Sequence, residues 1–359
     1  MVKTPLGMGL LLLTLAWPLW AWCAPLDEFL TAQPGYAPGH GEIEVGWDMM
    51  NKTVDLFGVR EPDSRGEDIG DYTGGHIRGG LALTKRLWID GGLWKRGVKT
   101  PYDDGESIGW QLGSQLQMTY HMGWLPALAL RLSYWGNRAN EANKGSATNV
   151  ASLTVDTIRV DNPKDHQTQV DLIATWALSE KSLMTLFAGG GRSKTDFDRL
   201  SLSLGGCEYS LDESPNNDSD YAYLAPNDSR NCVGFGFSES FHPAMFLRYD
   251  SKYWQMGGHY QWMNDKWRAR LGYRFIKVDR DELDALVTQY GKTGVTYDSN
   301  HILTAELGYK ITPSIGGFVR SQLMKRQFVG ELPLTYNPFS AHKFEEPYGI
   351  LTLGLTSGF

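Results

Sequence analysis

Several arginines of this 359-residue chain recur at every second position of stretches that are otherwise apolar. Arg268, Arg270 and Arg274 share one parity, and the opposite parity between them carries only apolar and aromatic residues. A guanidinium group offers several N–H donors in one plane, so a ladder of them is suited to binding carboxylates and other anions. The polar parity that we expect to line one common interior carries Arg78, Arg96, Arg131, Arg268, Arg270, Arg274, Arg320, Asp171 and Glu306.

These polar residues alternate with apolar ones over long stretches. From Ile108 to Met122, nearly every even-numbered residue is apolar or aromatic, and the odd-numbered residues are Gly, Gln, Thr or His. A period of two over fifteen residues predicts a β-strand, and one longer than the usual five or six residues of strands in soluble proteins. We therefore predict strands with one apolar and one polar face. The same alternation occurs at 128–137, 254–262, 267–275, 303–310 and 351–359.

Short and long connections alternate along the chain. Short turns fall near 84–86, 123–125, 178–181, 263–266 and 312–314, and long polar links near 60–73, 99–107, 138–166, 197–250, 280–299 and 329–346. This pattern predicts twelve antiparallel strands, although ten or fourteen also fit the less regular segments. The predicted strands are 41–57, 74–84, 87–98, 108–122, 126–137, 167–178, 182–195, 251–263, 267–279, 300–311, 314–328 and 347–359.

The N-terminus has the pattern of an export signal. Lys3 precedes an apolar run from Gly7 to Trp20, and small residues follow at Ala21 and Cys23. We predict a signal peptide at 1–23, a periplasmic N-terminal lead at 24–40 and one barrel domain at 41–359. If Cys23 is removed, Cys207 and Cys232 remain, and in an exported chain they are predicted to form a disulfide.

The end of the chain resembles the terminal assembly signal of bacterial outer-membrane β-barrel proteins. Leu351, Leu353, Leu355 and the final Phe359 place apolar side chains on one parity and close on an aromatic ring. Together with the export signal and the alternating strands, this resemblance covers nearly the whole mature chain. It implies an all-β fold, a single antiparallel up-and-down transmembrane β-barrel in the outer membrane of a Gram-negative bacterium. It also implies contact with outer-membrane lipid and lipopolysaccharide, and with the barrel assembly machinery. An exported soluble β-sandwich is the alternative.

Composition excludes several other classes of function. A net charge of −7 lacks the basic footprint of a nucleic-acid-binding protein. Three cysteines cannot form a Cys-rich zinc site, and the histidines lack metal-ligand spacing. We therefore expect no metal, no cofactor and no nucleic-acid partner.

Three hypotheses for function remain open at this point. In the first, the arginine-lined interior is a narrow diffusion channel for small polar or anionic solutes. In the second, the same charges form salt bridges in a closed structural or adhesive barrel that presents its long external loops, above all the loop between Cys207 and Cys232. In the third, Asp103-Asp104 and Asp165-His166 serve a hydrolase at the rim. Adjacent residues of a strand point to opposite faces, so we assign no catalytic residues.

Overall fold

A computed structural model of the chain describes most of the predicted barrel. The described residues are 29–32, 37–50, 71–99, 104–144, 148–150, 153–211, 223–226, 232, 235–236, 247–291, 293–338, 340–345 and 347–359. The predicted signal peptide at 1–23 lies outside them and stays a prediction.

Twelve strands form one closed antiparallel barrel, which confirms the predicted fold class and strand number. Each strand pairs with its neighbours in the chain, and the last strand returns to the first, from Glu42 opposite Gly358 to Met49 opposite Leu351. The strands are β1 (Gly41–Met50), β2 (Asp71–Ala82), β3 (Leu87–Lys99), β4 (Asp104–Thr119), β5 (Ala127–Ala139), β6 (Lys164–Ser179), β7 (Ser182–Asp196), β8 (Tyr249–Met263), β9 (Trp267–Asp279), β10 (Ser299–Lys310), β11 (Ile315–Met324) and β12 (Tyr348–Gly358).

Several links contain more regular structure than the sequence-based prediction gave them, and β11 is shorter. β11 ends at Met324 rather than at residue 328, because the chain then turns into the barrel interior, where Phe328 and Val329 are buried. The link after β9 contains a helix, α1 (Asp281–Tyr290), and the link after β11 contains two short 3-10 helices, Pro333–Thr335 and Ala341–Glu345. Among the described residues, no helix has both the length and the apolar character needed to span a membrane.

The barrel wall is apolar outside and polar inside. Leu112 on the outer face is 60% exposed, whereas Arg131 and Glu306 on the inner face are 1% and 4% exposed. Water does not support so large an outward apolar surface, so this wall requires lipid or detergent around it. Exposed aromatic residues near the short turns match the girdle with which membrane barrels meet the lipid–water interface. They include Trp124, Trp262, Trp267 and Tyr309.

Two glycines make room for the buried polar side chains of the interior. A Cβ atom at Gly113 in β4 would lie 2.4 Å from Arg131 Nη2 and 2.5 Å from Asp90 Oδ1. A Cβ atom at Gly189 in β7 would lie 2.0 Å from Asp171 Oδ1 and 2.4 Å from the backbone oxygen of Val170. Since neither position tolerates a side chain without a shift of its neighbours, these glycines set how closely the polar groups approach the wall.

The links that follow β5 and β7 build a second sheet at the long-link end of the barrel. Its hairpin turn, Gly205-Gly206, has φ values of 56° and 84°, which suit the tight turns of two-residue hairpins. Cys207 at the start of the next strand forms a disulfide with Cys232 across a sequence separation of 25 residues. The six strands are Glu141–Lys144, Thr157–Asp161, Arg199–Leu204, Cys207–Leu211, Tyr223–Pro226 and Phe235–Gly236. We call this the outer sheet; its core includes Val155, Ile158, Val160, Phe197, Leu200 and Tyr209.

Removing the disulfide should loosen the outer sheet and leave the barrel intact. In the double variant Cys207→Ser/Cys232→Ser, the loop-closure estimate for a link of this length is a loss of about 3.5 kcal/mol, confined to the outer sheet. Limited proteolysis should then cut within 207–232 faster than in the wild type. The heat-dependent shift of the folded band on a gel should be unchanged, because the barrel wall has its own hydrogen-bonded ladder. Loss of that shift would contradict the separation of the two sheets.

Candidate functional site in the barrel lumen

Glu306 on β10 is the centre of one buried charge network. The register places Arg270 of β9 and Arg320 of β11 directly opposite it. Arg270 Nε donates to Oε1 at 3.0 Å, and Arg320 Nε donates to Oε2 at 2.9 Å. Arg268 Nη2 lies 3.0 Å from Oε1. One carboxylate therefore holds three of the arginines that we expected in the interior.

Glu44 on β1 continues this network across the seam where the barrel closes. Arg320 Nη2 donates to Glu44 Oε2 at 3.0 Å, and Arg78 of β2 also donates to this carboxylate. His76 lies between two acids, with Nε2 3.0 Å from Glu44 Oε1 and Nδ1 2.9 Å from Asp48 Oδ2. The ion pairs thus run continuously from β9 through β10, β11 and β1 to β2.

A separate ion pair lies on the other side of the lumen. Arg131 of β5 binds Asp90 of β3 through two hydrogen bonds, Nη1 to Oδ2 at 2.6 Å and Nη2 to Oδ1 at 2.7 Å. Asp171 of β6 is fully buried and accepts hydrogen bonds from the amides of Gln169, at 2.6 Å, and Gln255, at 2.8 Å. These contacts satisfy groups that would be unstable if buried alone.

Residues Phe29–Ala32, which we call the inner plug, lie inside the barrel near its short turns. Ala32 N donates to Thr175 Oγ1 at 2.9 Å, and Gln115 Nε2 donates to the backbone oxygen of Thr31 at 2.9 Å. The Phe29 ring is completely buried, with the guanidinium carbon of Arg270 4.1 Å from its centroid. These four residues belong to the segment 24–40 that we expected as a lead to the barrel, and they fill part of its lumen.

Residues 325–338 and 340–345, which we call the outer plug, fold into the opposite end. Tyr249 Oη donates to the backbone oxygen of Pro333 at 2.5 Å, and Leu334 N donates to Asp165 Oδ2 at 3.2 Å. Glu331 forms a salt bridge with Arg274 of the wall. The outer plug is therefore attached to one arc of the barrel wall, through β6, β8 and β9.

An apolar core supports the outer plug and extends to the helix α1. Tyr336 of the plug stacks with Arg280, whose guanidinium carbon lies 3.8 Å from the ring centroid. Burial raises the pKa of the Tyr336 hydroxyl, and the opposing effect of Arg280 is smaller, so this hydroxyl stays neutral at ordinary pH. The buried residues of this core include Ile276, Val278, Leu283, Val287, Phe328, Val329, Leu332, Tyr336 and Phe344.

Between the two plugs lies a cavity of about 170 Å³, which we call the central chamber. Trp94, Arg96 and Gln111 of its wall point inward and are partly exposed, so β3 and β4 present water-accessible surface inside the barrel. A smaller cavity of about 60 Å³ adjoins it and shares Arg78, Trp94 and Arg96. The chamber wall includes Leu30, Arg78, Trp94, Arg96, Arg131, Trp135, Asp171, Tyr253, Arg274, Ile276, Met324, Phe328, Glu331 and Leu332.

The structure divides the nine expected interior residues into two groups. One group lines the central chamber and consists of Arg78, Arg96, Arg131, Arg274 and Asp171. Arg268, Arg270, Glu306 and Arg320 lie in the Glu306 network instead, where Arg320 also borders the smaller cavity. Leu353, Leu355 and Phe359, expected in the terminal assembly signal, are exposed on the outer face, and Leu351 is half-exposed.

Sequence reasoning missed both plugs. The sequence feature that indicates them is the number of large apolar residues in two segments that we interpreted as a lead and a link. Phe29 and Leu30 lie in the presumed lead, and Phe328, Val329, Leu332, Tyr336 and Phe344 lie in the final link. An exposed loop has no reason to carry so many large apolar residues.

The residues considered for a rim hydrolase are not brought together. Asp165 is buried in the lumen, where Asn137 Nδ2 donates to it at 3.1 Å, while His166 is exposed on the opposite face of the same strand. Asp103 lies outside the described residues. In the described part of the chain, no group of three or more His, Cys, Asp or Glu side chains is placed to hold a metal ion.

Comparison with known proteins leaves the family open. No protein-family model matches the sequence, and no curated protein matches it. The solved structures that resemble it include the translocator domain of the autotransporter NalP from Neisseria meningitidis, with 8% identity, 90% of this chain and 89% of that chain covered, and a TM-score of 0.49. The β domain of the Bordetella autotransporter BrkA has 8% identity, coverages of 90% and 100%, and a TM-score of 0.45. The KdgM porin has 6% identity, coverages of 89% and 99%, and a TM-score of 0.37. These identities and TM-scores are too low to carry an argument, so the assignment of the barrel fold depends on the strand order, in which β12 closes on β1.

The Glu306 network yields a stability prediction. Replacing Glu306 by Gln leaves three buried guanidinium groups without their shared carboxylate, so the variant should lose roughly 3–5 kcal/mol of unfolding free energy. Denaturant titration in detergent, followed by tryptophan fluorescence, measures this loss.

Glu106→Gln is the matched control for this experiment. The Glu106 carboxylate is exposed and pairs with Lys95 at 3.1 Å on the surface, so its loss should change stability by less than about 1 kcal/mol. Equal effects of the two substitutions would show that the network contributes nothing specific.

Proposed function

We propose that this protein is an outer-membrane β-barrel that forms a narrow, gated channel for small polar or anionic solutes. The export signal, the apolar outer wall and the aromatic ending of the chain support the location. In that setting outer-membrane lipid and lipopolysaccharide contact the wall. The barrel assembly machinery recognises Leu351, Leu353, Leu355 and Phe359.

The observation that carries the channel proposal is the central chamber. A barrel built only for rigidity would fill its interior with paired side chains along its whole length. Here the wall charges pair with each other and still leave a chamber of about 170 Å³, whose wall includes partly exposed side chains of β3 and β4. Four arginines and two carboxylates line it, which favours anions over cations.

The inner plug is the gate in this proposal. It comprises four described residues, which are attached to the wall by the two backbone hydrogen bonds, a hydrogen bond between Thr31 and His259 and the stacking of Phe29 on Arg270. Leu30 and Ala32 also pack in an apolar cluster, which is smaller than the core that holds the outer plug. Segments with few contacts open locally at low free energy, well below that of global unfolding. Displacement of this segment would connect the chamber to the short-turn end of the barrel.

Wild-type protein in a planar lipid bilayer should therefore show brief, small openings rather than a permanently open pore. In a potassium chloride gradient the reversal potential should indicate preference for chloride, because arginines outnumber carboxylates in the chamber. Silence across salts and potentials, both in the wild type and in the gate variant described next, would rule out the channel.

Weakening the inner plug should raise the open fraction. The double variant Phe29→Ser/Leu30→Ser removes two buried apolar side chains, each of which contributes about 2 kcal/mol through burial. We expect at least a tenfold rise in the time spent open. The double variant Ala37→Ser/Pro38→Ser is the control, since both residues are exposed outside the lumen and the openings should match those of the wild type. Equal behaviour of the two double variants would exclude the inner plug as the gate.

A closed barrel that presents the outer sheet is the second candidate function. The observation that favours it is the sheet's own buried core and its disulfide, which form a structured surface beyond the wall. Deleting 207–232 separates the candidates, because a channel keeps its conductance without that segment, whereas an adhesive barrel loses its partner.

A further inference from the structure

Two cations face each other on the outer side of the wall, near its long-link end. Arg192 of β7 and Lys252 of β8 are exposed on the outer parity, and the register places them directly opposite each other. Within the described part of the chain, neither side chain forms an ion pair or a hydrogen bond. The outward acids beside Lys252 are Asp250 and Asp279, and neither of them is paired with it in that part of the chain. Like charges at opposite positions destabilise a strand pair, so an anion between these two side chains would stabilise the wall.

Other cations of the outer face have acidic partners. Lys95 of β3 lies 3.1 Å from Glu106, and Lys164 of β6 lies 2.7 Å from Asp198. Lys277 of β9 forms a salt bridge with Asp298. Arg192 and Lys252 differ from these three lysines because no carboxylate of the described residues neutralises them.

The position of the two cations along the strands corresponds to the edge of the hydrocarbon. Trp254 and Trp262 are both exposed on the outer parity of β8. Their separation in sequence corresponds to about 27 Å along the strand, or about 20 Å across the membrane at a tilt of about 40°. The apolar band of a membrane barrel is about 25 Å tall, so Lys252, two positions beyond Trp254, lies where hydrocarbon gives way to headgroups. Long links are external in such barrels, which places these headgroups in the outer leaflet.

A shallow groove runs from the two cations down the outer wall. Gly190 and Ala188 of β7 form its floor, since they have the smallest side chains on this face. The register places a large apolar residue on each side of both positions, and adjacent strands are about 4.8 Å apart, so the flanks are separated by about 10 Å. One acyl chain fits on this floor and contacts both flanks. The flanking residues, all exposed, are Val170, Leu172, Trp254 and Met256.

We propose that this face of β7 and β8 binds a phosphorylated glycolipid of the outer leaflet. Its phosphate lies between Arg192 and Lys252, and one acyl chain lies along Gly190 and Ala188. Guanidinium and ammonium groups form strong charge-assisted hydrogen bonds with phosphate oxygens, and the groove distinguishes a lipid from a free phosphate ion. The inference rests on the outer-membrane location in the proposed function and not on the channel. It narrows the expected contact with lipopolysaccharide to one site on the wall.

Native mass spectrometry of the purified, folded protein in detergent tests this proposal by counting the lipids that stay bound. The probes are diphosphoryl lipid A, fully dephosphorylated lipid A and inorganic phosphate. We expect one tightly bound diphosphoryl lipid A, with an affinity at least tenfold higher than that of the dephosphorylated form. Inorganic phosphate should not displace the lipid at comparable concentration, because it has no acyl chain.

Three variants locate the two parts of the ligand. The double variant Arg192→Gln/Lys252→Gln should weaken the binding of diphosphoryl lipid A roughly tenfold or more, because basic groups near the headgroups supply much of the attraction. Lys95→Gln/Lys181→Gln is the matched control: it removes the same charge from the exposed β3 strand and a short turn, and should bind like the wild type. Ala188→Leu fills the groove with a side chain common on lipid-facing walls, and should weaken binding severalfold with both cations in place. The heat-dependent gel shift confirms that each variant is folded.

The outcomes separate this inference from the proposed function. Equal binding of the two forms of lipid A, or equal binding by the wild type and Arg192→Gln/Lys252→Gln, overturns the inference even if bilayer currents are present. Displacement of the lipid by inorganic phosphate at comparable concentration, or unchanged binding by Ala188→Leu, overturns the acyl groove. Binding as expected without any bilayer current supports the lipid site and overturns the channel. Recovery of the folded protein in aqueous extracts without detergent overturns the location on which both proposals rest.

Discussion

The hydrogen-bonded closure of β12 on β1 is the constraint on which the other features depend. In hydrocarbon, a backbone N–H or C=O group without a partner is costly, so a spanning sheet has to close on itself. The register from Glu42 opposite Gly358 to Met49 opposite Leu351 completes the ladder. Closure also fixes which side of every strand is inside, because side chains alternate along each strand. A shift of one residue at this seam would place Glu44 outside, where no arginine can reach it.

Closure then determines which charges meet. Glu44 on the first strand and Glu306 on the tenth share Arg320, whose Nη2 lies 3.0 Å from Glu44 and 2.9 Å from Glu306. Glu306 and Arg320 face each other in the β10–β11 hairpin, whereas Glu44, 276 residues from Arg320 in the sequence, becomes their neighbour only when the barrel closes. Partial ladders of the same strands would expose unpaired carboxylates and guanidinium groups to a medium that cannot solvate them. The network therefore favours the closed barrel over partly paired alternatives, in addition to whatever net stability it contributes.

The sequence was sufficient to predict the wall and insufficient to predict the contents of the lumen. Period-two alternation is local, so twelve strands, their parity and the short turns can be read residue by residue, as in Ile108–Met122. The acidic partner of each arginine could not be predicted in this way. Arg270 and Arg274 are equivalent in the sequence pattern, yet one binds Glu306 and the other binds Glu331 of the outer plug. Those partners are set by register and by a loop that folds back into the barrel. The inner plug was missed for the same reason, since only non-local packing distinguishes Phe29 from a residue of a free lead.

The two plugs differ in the number of contacts that hold them, so the two ends of the lumen are not equivalent. The outer plug has an apolar core shared with α1, a salt bridge to Arg274 and hydrogen bonds from Tyr249 and to Asp165. The inner plug has four described residues, with a smaller apolar cluster and hydrogen bonds to Thr175, Gln115 and His259. Because local opening follows the number of buried contacts, we expect the inner plug to open at lower free energy than the outer one. The partly exposed side chains of the chamber wall include Trp94, Arg96 and Gln111 on β3 and β4. In the proposed channel, a solute that arrives from the long-link end would therefore meet the chamber arginines before it reaches the inner plug, which is the gate of that proposal.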